Sequence, residues 1–203
     1  MPRLLDTNSR TDELAHALAQ LIGEDGLEAP SSRRVAARVG LSIGTLAHHY
    51  ESRTRLLRVL SFRIGLALLD EITPEIRTIG AAAMLRTDDE GRLLTRAWLG
   101  AVELGRSSED VGYSVADIIQ RERSCLIGAS DHLVRDPVTL EALHALVHGL
   151  RAATCRKVDP LDVETAREIL GSGMREAQRT ASAAALPAAS RRAVTIASGS
   201  SAE

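Results

Sequence analysis

The sequence predicts an all-α protein, and three observations carry that prediction. Apolar residues recur at three- and four-residue intervals, as in Leu14, Leu18, Leu21 and Ile22 or Leu56, Leu57, Leu60, Ile64 and Leu68. No stretch alternates polar and apolar residues between turn signals as a half-buried strand would. The breaks between periodic segments carry helix caps and stops: Ser31, Ser32, Ser42, Ser52, Asp136-Pro137 and Asp159-Pro160 as starts, Gly26 and Gly40 as ends.

The first helix is expected from Arg10 to Glu24, after a polar and loose start over residues 1–9 in which Arg3 and Arg10 offer a short basic arm. A short second helix follows Ser31 or Ser32, with Val35 and Val39 one turn apart, and Gly40 ends it where positive φ is needed. Leu41 plugs the turn. Ser42 then caps a third helix, Ile43 to Tyr50, whose Leu46 and Tyr50 fall at i and i+4 and face inward. Such a steep pair of short helices is a helix-turn-helix, in which the second helix enters the DNA major groove with its first residues against base edges. Gly44 and Thr45 occupy those positions, with Ile43, His48 and His49 on the same outer face. His48 and His49 are adjacent on the helix, so they diverge and form no catalytic or metal pair.

Charge supports that reading. The net charge of −2 argues against wholesale binding of polyanions, yet residues 30–63 hold seven arginines (33, 34, 38, 53, 55, 58 and 63) against one acid, Glu51. A basic patch on the motif is the footprint expected of a surface that contacts phosphates.

Ser52 caps a fourth helix that runs from Arg53 to about Asp70, with Pro74 as its end or kink, and leads out of the small domain. A helical remnant is followed by Thr87-Asp88-Asp89-Glu90, acids suited to a helix N-terminus, and by the stripe Leu93, Leu94, Ala97, Trp98 and Ala101. Ser107-Ser108-Glu109-Asp110 recaps a helix from about Val111 to His132, with Val115, Ile118, Ile119 and Leu126 inward. Asp136-Pro137 starts another to about Lys157, and Asp159-Pro160 starts the last, through Leu161, Val163, Ile169, Leu170 and Met174. The Ala/Ser-rich stretch 181–203 has no sustained period and is expected to be disordered.

Several functions are disfavoured. No apolar run approaches the ~20 residues of a membrane span, and the first residues lack the apolar segment of a secretory signal, so a cytoplasmic protein with no membrane partner is expected. Cys125 and Cys155 are too few for a zinc motif or a disulfide framework. Glu141, His144 and His148 share one helix face at i, i+3 and i+7, but ordinary histidines of a surface or interface helix account for them better than a metal. With no Gly-x-Ser-x-Gly elbow, Walker loop, Gly-x-Gly-x-x-Gly or His-Glu-x-x-His, the chain is expected to be no enzyme and to need neither cofactor nor metal.

The run Val-Ala-x-x-Val-Gly-Leu-Ser-x-Gly-Thr-Leu-x-His-His-Tyr-x-Ser-Arg-x-x-Leu-Leu, residues 35–57, resembles the DNA-binding signature of the TetR/AcrR family of bacterial transcriptional regulators. Two positions depart from it: Ala47 stands where the family usually has a phosphate-touching tyrosine, and Arg53 where it has a lysine. The resemblance implies a three-helix DNA-binding domain over residues 1–52, an effector-binding and dimerisation bundle over 53–180, and the tail over 181–203. Ser32, Arg33, Ser42, Ile43, Gly44, Thr45, His48, His49, Tyr50 and Arg53 would then meet an operator duplex. It also implies a homodimer built on the last two helices, through Leu143, Val147, Leu150 and Ile169. A small effector would sit among the rare bulky residues Phe62, Met84, Trp98 and Tyr113, with Glu103 or Arg121 as polar anchor. The resulting expectation is a regulator, most simply a repressor on a palindromic operator that a small molecule releases. The alternatives are an activator or adaptor, or a helical ligand-binding bundle whose motif is vestigial.

Overall fold

In the computed structural model, residues 7–26, 31–130, 134 and 136–185 are described, and all their regular structure is helical. The helices are α1 (Thr7–Asp25), α2 (Ser32–Arg38), α3 (Ile43–Tyr50), α4 (Arg53–Ile79), α5 (Asp89–Ser107), α6 (Glu109–Ala129), α7 (Pro137–Thr154) and α8 (Val163–Ala185), with a 3-10 turn at Gly80–Met84. None of them is long and apolar enough to cross a membrane.

The predicted caps form where side-chain oxygens can reach orphan amides. Ser31, Ser42, Ser52 and Asp136 accept from the backbone N–H groups of Arg34, Thr45, Arg55 and Thr139. Ser108 makes no such bond. The last helix begins later than expected, since Asp159 lies in the connection at φ 49° and the Asp162 carboxylate accepts from Thr165 N at 2.9 Å instead.

Three boundaries differ more. Residues 7–9, expected to be loose, already belong to α1. α4 runs 27 residues, straight through Pro74. Pro74 and Asp70 are both exposed, so the helix turn in which the proline withholds a donor lies on the outer face of α4. The helix stops instead at Gly80, whose φ of 60° suits a residue without a Cβ. At the other end α8 carries on to Ala185, so residues 181–185 of the expected disordered tail are helical, because the Ala-rich start of that tail propagates a helix already nucleated upstream. The remainder of that tail, 186–203, lies outside the described residues, as do Arg3 and the rest of residues 1–6.

The core is continuous from the first helix to the last. α4 is its axis: Leu60, Ile64, Leu68 and Ile72 are at most 1% exposed, and they meet Trp98 of α5 and Ile118 of α6, both fully buried. Gly65 lets these helices approach, since a Cβ there would stand 2.7 Å from Ile118 and 3.0 Å from Trp98. α1 packs against both α4 and α5, so the first helix is seated on the body that follows the motif.

Arginines tie the chain around residues 84–88. Arg86 donates to the Glu71 carbonyl and to the carboxylates of Glu71, Glu75 and Asp88. From the other side, Arg151 of α7 donates to the Met84 carbonyl at 3.0 Å and Arg167 of α8 to that of Leu85. Arg151 is itself fully buried against Glu122 of α6, which also meets His144 Nε2 at 3.1 Å.

Candidate nucleic-acid interface

The exposed motif is held from beneath by Val35, Ala36 and Leu46, each at most 2% exposed. Gly40 turns the chain at φ 70°, and Leu41 N closes the turn onto the Ala36 carbonyl at 2.9 Å. That fixes α3 with Ile43, Gly44, Thr45, Ala47, His48 and His49 all exposed. Ser42 Oγ accepts from Thr45 N at 3.0 Å and lies 2.8 Å from Thr45 Oγ1, so the Thr45 side chain is oriented by the cap. Gly44 leaves open space along the helix, since the heavy atom nearest to a Cβ at that position would be Ser42 Oγ at 3.7 Å. The rings of His48 and His49 meet edge-on with centroids 5.7 Å apart, despite their diverging Cα–Cβ directions.

Tyr50 is placed differently from the other expected contacts. It is half-buried, and its hydroxyl lies 3.2 Å from Thr11 Oγ1, which fastens α3 to α1. A helix-anchoring role follows from its inward i+4 position after Leu46. Ser32 opens α2 half-buried beside the capping Ser31.

The basic patch is smaller than the arginine count implies. Arg34 pairs with Asp25, Arg38 with Glu24 through two bonds of 2.9 and 2.6 Å, Arg55 with Glu51, and Arg63 with Asp12. Three of those four acids come from α1, outside the window in which the arginines cluster. Arg33, Arg53 and Arg58 are exposed and carry no ion pair among the described residues. Arg33 and Arg53 open the helices on either side of α3, where phosphate contacts would flank a groove-seated helix. Glu24 responds to its partner: the Arg38 hydrogen bond holds its carboxyl below the ordinary value.

A polar chain links the motif to the helices behind it. Arg38 of α2 donates to Gln20 Oε1 at 3.3 Å, which turns the Gln20 amide nitrogen toward His16 Nε2 at 2.9 Å. His16 Nδ1 in turn lies 3.4 Å from Glu90 of α5. The Gln20 amide nitrogen can only donate, so His16 Nε2 accepts, which leaves Nδ1 as the ring nitrogen on the Glu90 side. No local sequence pattern signals this chain, because its members lie up to 74 positions apart.

The residues expected around an effector do not converge. Met84 and Trp98 are fully buried and Phe62 half-buried, but Tyr113 is 67% exposed and bonded to Glu109. Glu103 and Arg121 are exposed and paired with Arg106 and Asp117 on their own helices. Tyr113 lies two positions from both Val111 and Val115, which are buried, so the helical repeat itself sets it on the outer face of α6. The buried indole N–H of Trp98 has no acceptor among the described residues, nor does Ser61 Oγ have a partner.

The expected dimer contacts divide in the same way. Leu143, Val147 and Leu150 are at most 6% exposed within one chain, since that face of α7 packs inward, and so they offer little surface to a second chain. Ile169 is 42% exposed on α8. Of the three residues spaced like metal ligands on α7, Glu141 bonds Arg123, His144 bonds Glu122, and His148 stacks on His144 with centroids 6.3 Å apart. Burial, then the nearby Arg151 charge, pushes the His148 pKa down.

Residues 14–60, from the middle of α1 to the second turn of α4, match the family model for bacterial regulatory proteins of the tetR family. The HTH-type transcriptional regulator PksA of Bacillus subtilis (strain 168) is 27% identical over 186 residues, 82% of this chain and 88% of PksA. Among solved structures, a transcriptional regulator from Rhodococcus sp. Rha1 superposes with a TM-score of 0.72 at 19% identity, covering 84% of this chain and 96% of its own. A regulator from Saccharomonospora viridis, solved in complex with choline, superposes with a TM-score of 0.68 at 17% identity, covering 83% of this chain and 97% of its own.

Proposed function

We propose, on the premise that this chain belongs to the TetR family of DNA-binding bacterial transcriptional regulators, that it is a repressor which binds a palindromic operator as a homodimer and is released by a small molecule. The observation that carries the DNA contact is α3 itself, capped, exposed along one face, and flanked by the exposed Arg33 and Arg53. Gly44, Thr45 and His48 are the residues we assign to base edges and neighbouring phosphates, with Ser42 and Ile43 at the helix start and His49 at its far side. The likeness to regulators, rather than to catalysts, agrees with a role without enzymatic chemistry.

For the dimer we assign the exposed face of α8 around Ile169, packed beside α7. Two-fold symmetry would set two α3 helices about one DNA turn apart, which is why the operator is expected to be palindromic. For the effector we assign the region around Trp98, where α4, α5 and α6 meet and where a buried indole N–H lacks an acceptor among the described residues. The choline complex of the Saccharomonospora viridis neighbour supports a small-molecule site in such a helical body. A ligand that lowers operator affinity tenfold must favour the unbound arrangement by ~1.4 kcal/mol, and operator must weaken ligand binding by the same factor.

The test is to select DNA from a random pool with the purified full-length chain, then measure the selected duplex by mobility shift and a reporter. Enrichment of an inverted repeat that lowers reporter output supports the proposal. No enriched sequence would favour a helical ligand-binding protein with a vestigial motif, and raised output would favour an activator.

A further inference from the structure

A cavity of about 390 Å³ opens inside the DNA-binding motif, between the first turns of α1, the inner flank of α3 and the first turns of α4. Its size falls within the roughly 300–1,000 Å³ of small-molecule sites. The floor is apolar, made by Leu14, Leu41, Leu46 and Val59. The rim holds Arg10, Arg55 and His49, and among the described lining residues there is no carboxylate. Each guanidinium pairs with one exposed acid near it in sequence: Arg10 with Glu13 at 3.2 Å, and Arg55 with Glu51, the residue that ends α3, at 2.9 Å. Exposed pairs of this kind contribute little, so either arginine can turn to a better anion.

We infer that this cavity binds a small amphipathic anion, with an apolar tail on the leucines and a carboxylate or phosphate head between Arg10 and Arg55. Its occupant blocks DNA directly. Thr45 and His49 belong both to the cavity wall and to the exposed face of α3, so a bound molecule and an operator compete for the same side chains. This consequence rests on the DNA-binding reading, whereas the site rests on its lining alone. It is separate from the effector region assigned around Trp98. An operator backbone phosphate has the same head-group chemistry without the tail, so the two sources are distinguished by whether the tail matters.

The experiment titrates the full-length chain with octanoate, octylammonium and sulfate by calorimetry, first without DNA. Octanoate is expected to bind once per chain, and the other two at least tenfold more weakly. The double variant Arg10→Ala/Arg55→Ala should lose at least tenfold in octanoate affinity, and Val59→Phe, which fills the floor, should lose as much with both arginines intact. Adding operator duplex should then give simple competition, with apparent operator affinity falling in proportion to free octanoate. Octanoate binding unchanged in both variants overturns the site. Sulfate binding as tightly as octanoate reduces the cavity to a phosphate seat and overturns the amphipathic ligand. Octanoate saturation with undiminished operator affinity overturns the competition. If the chain selects no operator, the DNA reading fails while the calorimetry still decides the site.

Discussion

At the residue scale the most consequential side chain is one that no sequence pattern singles out. Burial alone would raise the Glu122 pKa, but the Arg151 charge beside it, with hydrogen bonds from His144 and Arg151, holds it at about 2. Because the folded value lies below the ordinary 4.5, the stabilisation is fully present above about pH 4.5 and is lost as pH falls toward 2. Its pH-linked part is on the order of 3 kcal/mol. Glu122→Gln should therefore cost about 3–5 kcal/mol at pH 7 by leaving Arg151 buried without its counter-charge, and urea unfolding should show the gap to wild type narrowing by pH 3. An equal gap at both pH values would contradict the linkage. At the surface, Gly44→Trp should keep its helicity by circular dichroism, since nothing blocks a side chain there, while specific operator affinity falls at least tenfold. Thr45→Ala should cost ~1–3 kcal/mol of specific binding. The exposed residues of α3 were legible because a short capped helix leaves few choices of face. The inward turn of Tyr50 was legible from its spacing after Leu46, but its Thr11 partner and the whole setting of Glu122 were not, because those partners lie 39 and 22–29 positions away.

At the element scale, the serine caps and the Gly40 stop bracketed α2 between two candidate starts and its end, and Ser42 placed the start of α3, since those signals act through local hydrogen bonds. Two ends were misplaced: α4 passes through the exposed Pro74, and the start of α8 shifts from Asp159 to Asp162, the aspartate whose carboxylate reaches its amides. Charge behaved similarly, since acids on α1 neutralise arginines that look free in a local window. Phosphate contacts should therefore come chiefly from the arginines that no acid engages among the described residues. Removing Arg33 and Arg53 should lower the log-log salt slope of operator binding by about 0.9 each, whereas Arg38→Ala should leave the slope nearly unaltered. Equal slopes in all three proteins would reduce the patch to a solvated face. The α4–α6 crossing has its own test. Gly65→Ala should destabilise by ~1–3 kcal/mol in denaturant midpoint, since its Cβ would stand inside contact distance of Ile118. A neutral result would mean that the two helices separate freely.

For the whole molecule, helix number and order were readable from periodicity, but which chain surfaces remain free was not. The apolar stripe of α7 serves the chain's own core, and that burial moves the proposed dimer contact onto α8. Ile169→Arg is expected to shift the protein toward monomer in sedimentation at micromolar concentration while leaving its thermal midpoint close to wild type. It should also weaken operator binding, because each half-site then binds alone. A dimer of unchanged affinity would move the interface elsewhere on the chain.

The uninterrupted α4 also bears on how such proteins can be recombined. Its Leu56, Leu57 and Leu60 close the core beneath the motif, and the same helix carries Ile64, Leu68 and Ile72 into the body. A chimera joined at residue 52 would graft a foreign seal under the three small helices and strand their apolar undersides. Moving this motif's specificity to another scaffold therefore means moving residues through Leu60 with it, together with the α1 face that docks on α5. The transferable unit is thus defined by who shares a core, and the boundary drawn by the motif alone cuts through it.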